Sequence, residues 1–186
     1  MIWSGCEKIE VCSSLVVLLI DMQDGFCGEM QSPRRQKLVS AQKRILYQCA
    51  VKGAPLIVIE YEGCGETIEE LSEPISKVRN KVRILKSTDN AFSGYSHDSI
   101  LGKTLKSIKA RTLLLMGVNM SGCVLDTAQS AVRFGYGVET SRNLITDALS
   151  TDWMMDWSWY KFTGVLRDIK NLSLVRYPSQ QARLVG

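Results

Sequence analysis

Short, continuous apolar runs recur along the chain and alternate with longer segments whose apolar residues have helical spacing. A run without polar alternation is typical of a β-strand that is buried on both faces, as the strands of parallel sheets are. Such strands need layers of helices to cover their sheet. The predicted strands are 14–22, 54–61, 81–86, 111–118, 137–148 and 172–177.

The segments between these runs carry helix signals. In the first of them, Ser32 stands at a capping position, Pro33 takes the first helical position, and Gly53 follows the last turn. Because strands and helices alternate along the whole chain, the pattern predicts a three-layer, Rossmann-like α/β fold with about six mostly parallel strands and helices on both faces. Helices are predicted at 32–53, in part of 66–78, at 96–110, directly after the fourth strand, and at 150–171.

The chain is predicted to be a single domain over 1–186, because a length of 186 residues fits one core and no linker or repeat interrupts it. Its net charge of +4 is spread thinly, and apolar residues break its densest basic stretch, 77–86. We therefore expect no nucleic-acid partner.

Compartment and membrane contact are predicted from the first apolar run and from the cysteines. The run is short, ends in an acid, and follows a charged segment, so it resembles neither a signal peptide nor a membrane span. No C-x-x-C pair occurs among the six cysteines. We expect free thiols, a cytoplasmic location and no membrane partner.

Three chemically distinct residues follow predicted strands. The first strand ends in Asp21, the third ends in Lys86, and the fourth leads over a turn into Cys123 at the start of a helix. Ligands of open parallel sheets bind beyond this carboxyl edge. Taken singly, the three are interpreted as a cap or loop acid, a solvated lysine, and a small buried apolar residue. Together, the two charges offset each other's cost of burial, which predicts a shared site.

The thiol of Cys123 is predicted to be a nucleophile. A helix N-terminus and a nearby ammonium both lower the pKa of a thiol. The chain has one histidine, His97, so a site built from several histidines is excluded. Asp21 is then the expected proton acceptor, and we expect neither a metal nor another cofactor.

Around these residues, the sequence resembles the isochorismatase-like cysteine hydrolases, a superfamily that includes nicotinamidase and N-carbamoylsarcosine amidase. The resemblance rests on ordered motifs: LLIDMQDGF, ILKSTDNAFSGY, LLLMGVNMSGCVLDTAQSAVRFGY and ITDALS. It implies a triad of Asp21, Lys86 and Cys123. It also implies a cis peptide between Val118 and Asn119, and an oxyanion hole made by the N–H groups of Asn119 and Cys123.

Two departures from the superfamily narrow the implied function. Nicotinamidases bind a metal through an Asp-x-His pair and further histidines after the second strand, where this chain reads EYEGCGETIEEL. Isochorismatases proper lack the nucleophilic cysteine, which is present here. The resemblance therefore implies a metal-free hydrolase that cleaves a C–N bond of a small amide or carbamoyl compound through a thioester.

Two other classes of protein are alternatives to a hydrolase. The alternative within the fold is a non-catalytic or regulatory member. A nucleotide-binding Rossmann protein is disfavoured, because DMQDGFCG after the first strand lacks the G-x-G-x-x-G pattern.

Further residues are expected around the substrate or between subunits. Phe26, Tyr61 and Phe92 are predicted to wall the pocket. Glu60 and Glu62 either bind a polar substrate group or are solvated loop residues. The stretch 153–162 holds three of the four tryptophans, and we interpret it as core or as the subunit interface of a homo-oligomer, a dimer or higher, as the resemblance implies.

Overall fold

The computed structural model describes residues 8–9, 15–149, 155–167 and 173–174. No helix within these ranges is long and apolar enough to cross a membrane. The strands are β1 (Lys8–Ile9), β2 (Leu15–Ile20), β3 (Leu56–Tyr61), β4 (Lys81–Lys86), β5 (Thr112–Gly117), β6 (Gly137–Glu139) and β7 (Ser173–Leu174). The helices are α1 (Asp24–Cys27), α2 (Ser32–Lys52), α3 (Glu69–Lys77), α4 (Ile100–Ser107), α5 (Cys123–Arg133) and α6 (Ser158–Phe162), with a short 3-10 turn at Ser93–Tyr95.

Five strands form the central sheet in the order β4-β3-β2-β5-β6, and all neighbours are parallel. Every residue of the central strand β2 is buried. Because successive side chains of a strand point to opposite faces, both faces of the sheet are covered at its centre. The predicted Rossmann-like α/β fold is confirmed.

The strand count differs from the prediction, since five strands rather than about six form the central sheet. The predicted strand 137–148 ends at Glu139, after which the chain makes only single bridges, from Thr140 to Leu166 and from Ile145 to Gly117. A turn closed by the Leu144 N–H on the Ser141 carbonyl interrupts it.

The predicted elements nearest the C-terminus are described only in part. Of the predicted strand 172–177, Ser173–Leu174 is described, and it pairs in parallel with β1 in a separate two-stranded sheet. Of the predicted helix 150–171, the structure describes α6, which ends before Gly164, a residue in the left-handed conformation at φ 68°. The rest of both segments lies outside the described residues.

The ends of β2 and β5 approach each other very closely at Gly117. Its φ is 142°, and a Cβ atom at this position would lie 2.0 Å from the carbonyl oxygen of Ile20. Glycine is therefore required there. The close approach brings the turn after β5 next to Asp21, the residue that follows β2.

Candidate active site

A buried ion pair joins the ends of two strands that are not neighbours. The Nζ atom of Lys86 lies 2.7 Å from Oδ2 of Asp21, and neither side chain is exposed. Lys86 also donates to the carbonyl of Thr88, and its ammonium lies 4.5 Å from the centre of the Tyr61 ring. Asp21 has a φ of 53°, in the left-handed region that non-glycine residues rarely adopt and that aspartate adopts more readily than most.

Cys123 is the first residue of α5, and only 5% of it is exposed. Its thiol donates to Oδ1 of Asp89, 3.7 Å from Sγ, and the carboxylate of Asp21 acts on the thiol electrostatically. The structure thus brings together the three residues that the sequence placed at one edge of the sheet. It adds Asp89, which the sequence analysis missed.

Burial dominates the electrostatics of this cluster. It raises the pKa of Asp21, although the Lys86 ammonium and, more weakly, the interaction with Cys123 act to lower it. It also raises the pKa of the Cys123 thiol to about 12, and the negative charge of Asp21 adds to that effect while Lys86 opposes it. The predicted lowering of the thiol pKa was therefore wrong. These shifts favour the neutral form of the thiol.

The turn between β5 and α5 contains the cis peptide bond, which joins Val118 and Asn119. Among the described residues, no backbone hydrogen bond uses the N–H of Asn119 or of Cys123. The Asn119 side chain is occupied, because its Oδ1 accepts from the N–H of Ala148 at 2.8 Å. Two main-chain donors are thus available for an oxyanion, and their role stays a prediction.

Two residues that the sequence analysis missed hold this turn in place. Oδ1 of Asp147 accepts from both the N–H and the hydroxyl of Ser121, at 2.9 and 2.8 Å. The buried hydroxyl of Tyr160 donates to the carbonyl of Met120 at 2.6 Å. Asp147 lies in the motif ITDALS, so its presence in that motif could have identified it as a functional residue. No sequence pattern indicated Tyr160, which lies within the tryptophan-rich stretch.

The rest of that stretch contributes core contacts and one exposed ring. Trp157 and Trp159 are half-buried and pack against Tyr160, at 5.8 and 5.2 Å between ring centres. Phe162 is 93% exposed. Residues 153 and 154 lie outside the described ranges, and the subunit interface stays a prediction.

The aromatic residues predicted to wall the pocket divide into two groups. Phe26 and Tyr61 contact each other edge to face at 6.0 Å between ring centres, and the Tyr61 ring lies beside the Lys86 ammonium. Phe92 is fully buried and packs against Phe134 and Tyr136 instead. The structure buries the Phe92 ring among these aromatic residues, and its place in the pocket wall stays a prediction.

Polar side chains fix the loop after β3. The buried Glu60 accepts from both the N–H and the hydroxyl of Thr67, so it is engaged in holding this loop, whereas Glu62 is exposed. Gln23 is fully buried and hydrogen-bonds the main chain of Tyr61 and Gly65. Gln23 stands in the quoted motif LLIDMQDGF but was not singled out. Its contacts keep Tyr61 beside the ion pair.

The described residues form no metal-binding group, but they do form a cavity outside the Asp21–Lys86–Cys123 cluster. Within the described ranges, no group of three or more His, Cys, Asp or Glu residues is arranged to hold a metal ion. A cavity of about 970 Å³ lies against α2, with Arg35, Lys43 and Tyr47 among its lining residues. None of the residues of the Asp21–Lys86–Cys123 cluster lines it.

Comparisons with known proteins agree with this architecture. The model of the isochorismatase domain matches residues 15–159. An isochorismatase-like hydrolase from Alkaliphilus metalliredigens is 20% identical, with a TM-score of 0.69 over 84% of this chain and 95% of that one. N-carbamoylsarcosine amidase from Thermoplasma acidophilum is 17% identical, with a TM-score of 0.65 over 93% and 99%.

A protein named for a different activity has a similar fold. A ribonuclease from Caenorhabditis elegans is 17% identical, with a TM-score of 0.65 over 91% of this chain and 79% of that one. A search of curated proteins found no match. At these identities, the structural likeness shows the fold alone, and the chemistry has to be argued from the site.

Proposed function

The chain belongs to the isochorismatase domain family, and we propose that it is a cysteine hydrolase that cleaves a C–N bond of a small amide or carbamoyl compound. The family and its structural neighbours include hydrolases and an amidase. The observation that carries the proposal is one buried carboxylate, Asp21, which pairs with the Lys86 ammonium at 2.7 Å and acts electrostatically on the Cys123 thiol.

In the first half of the reaction, Sγ of Cys123 attacks the substrate carbonyl carbon while Asp21 accepts the thiol proton. The negative charge that develops on the carbonyl oxygen is stabilised by the N–H groups of Asn119 and Cys123. Asp21 then gives the proton to the leaving nitrogen. The C–N bond breaks, ammonia or an amine departs, and a thioester remains on Cys123.

In the second half, water attacks the thioester carbon and Asp21 accepts a proton from that water. The C–S bond breaks, the acid product leaves, and the proton returns to the sulfur. The raised pKa of Asp21 suits its two steps as proton acceptor, from the thiol and later from water, because a more basic carboxylate accepts a proton more readily. Lys86 keeps the carboxylate in place through the ion pair.

The neutral resting thiol favours proton transfer during the attack over a preformed thiolate. Burial and the charge of Asp21 both raise the thiol pKa, so little thiolate is present at neutral pH before substrate binds. A free thiolate is not needed when the substrate is bound, because the proton moves to Asp21 as the bond between sulfur and the carbonyl carbon forms.

The experiment that tests the proposal detects the acyl-enzyme. We expect ammonia release from members of a panel of small primary amides and ureido compounds, and formation of the corresponding hydroxamate when hydroxylamine is added. A thioester partitions between water and hydroxylamine, whereas direct attack by water does not. Ammonia release without any hydroxamate would contradict the thioester. A folded protein that turns over none of the panel would favour the non-catalytic alternative.

Activity is expected to be independent of metal ions. The chain has a single histidine and no Asp-x-His pair after β3, so the metal ligands of nicotinamidases have no counterpart here. Exhaustive chelation followed by assay should change the rate of ammonia release by less than about twofold, within ordinary assay scatter. Loss of activity that added zinc or iron restores would overturn this expectation.

A further inference from the structure

Asp89 puts a second carboxylate beside the sulfur. Its Oδ1 lies 3.7 Å from Sγ of Cys123, and the residue is exposed. Asp21 is paired with Lys86, and those two charges offset each other. No ion pair to Asp89 occurs in the described part of the chain. One uncompensated negative charge therefore remains at the site, next to the reacting atom.

The position of Asp89 is fixed by its neighbours. The Asn90 side chain donates to the Ser130 hydroxyl at 2.7 Å, and the N–H of Ala91 donates to the Thr127 hydroxyl at 3.0 Å. Both acceptors are on α5, the helix that begins at Cys123. Asp89 and the thiol are therefore held by the same helix, so the distance between them is determined by packing and not by a free loop.

A substrate whose carbonyl carbon reaches Sγ must place its flanking groups close to Asp89. A cationic group is attracted there, whereas a carboxylate or a phosphate is repelled. We propose that Asp89 determines specificity, and that the substrate is a small amide carrying an ammonium or guanidinium group. This inference rests on the proposed hydrolase function. It disfavours phosphodiesters, the class of substrate that a ribonuclease takes.

The first test compares three primary amides of similar length and different charge: the cationic amide of γ-aminobutyric acid, neutral valeramide and anionic succinamic acid. We expect the cationic amide to have the highest kcat/KM. Asp89→Asn should lower that value about tenfold, change valeramide by less than about threefold, and raise kcat/KM for succinamic acid. Equal losses for all three amides would mean that Asp89 serves the chemistry itself and does not select charge.

The second test needs no turnover. Cationic (aminoethyl)methanethiosulfonate and anionic (sulfonatoethyl)methanethiosulfonate are similar in size and modify the same thiols. Mass spectrometry of the Cys123 peptide gives both rates. We expect the cationic reagent to react with Cys123 about tenfold faster than the anionic one, relative to Cys64, and this preference should disappear in Asp89→Asn.

The matched control is Asp98→Asn, which removes an exposed aspartate that pairs with Lys106. It should leave the reagent preference at Cys123 unchanged. Equal rates for both reagents in the native protein, or a preference that survives Asp89→Asn, would overturn the inference. A reagent preference without hydrolysis of any amide would instead overturn the proposed function while leaving the charge selection by Asp89 intact.

Discussion

Cys123→Ser is expected to lower turnover at least about a thousandfold while the fold stays intact. A serine hydroxyl has a far higher pKa than a thiol, and the single carboxylate of Asp21 is too weak a base to activate it. The side chain keeps nearly the same size, so packing at the start of α5 should change little. The measurement is kcat/KM for ammonia release, together with thermal unfolding by circular dichroism.

The matched control for this variant is Cys64→Ser. Cys64 is a half-buried free cysteine in the loop after β3, where its main chain pairs with Gly25. We expect kcat/KM within about twofold of the native value for this control. Ammonia release by Cys123→Ser at the native rate, with the control also active, would show that the sulfur of Cys123 is not the nucleophile.

The fold was predictable because its strongest sequence signals coincide with its most buried strands. All residues of β2 are buried, and β5 is buried except at its first residue. The predicted strand 137–148 was wrong beyond Glu139, because a turn there competes with the apolar pattern. The segment after Glu139 has apolar residues, but the turn at Ser141 prevents it from continuing as a strand.

The meeting of Asp21, Lys86 and Cys123 was predictable for a topological reason, since the carboxyl ends of parallel strands share one edge of the sheet. The ionisation of the thiol was not predictable. It depends above all on how deeply the thiol is buried, which no local pattern of the sequence shows. Phe92 shows the same limit, because its position beside the lysine motif does not reveal that the ring is buried against Phe134 and Tyr136.

The two charges of the ion pair are expected to act on the thiol in opposite directions. Lys86→Met removes the ammonium that lowers the thiol pKa and leaves Asp21, which raises it. The pKa of Cys123 should therefore rise further. An unpaired buried carboxylate also costs about 3–5 kcal/mol of stability, so the unfolding transition of this variant should move to a lower temperature. We expect turnover to fall about a hundredfold or more.

Asp21→Asn changes the thiol in the other direction. It removes the negative charge of Asp21, which raises the pKa of Cys123, while Lys86 remains to lower it. The pKa should therefore fall, and the thiol should react more readily at neutral pH. Turnover should nevertheless drop about a thousandfold or more, because the leaving nitrogen loses its acid and the water loses its base. A more reactive thiol in a nearly inactive enzyme separates the ionisation of sulfur from catalysis.

The deciding measurement is the rate of Cys123 alkylation by iodoacetamide as a function of pH, followed on the Cys123 peptide in the native protein and in each single variant. Relative to native, the profile should move to higher pH in Lys86→Met and to lower pH in Asp21→Asn. The double variant should lose little turnover beyond the worse single one, because residues that act as a unit are not additive. If Lys86→Met does not fold, the shift in Asp21→Asn alone still tests the coupling. Superimposable profiles would mean that neither charge influences the thiol, and the triad would then be wrong.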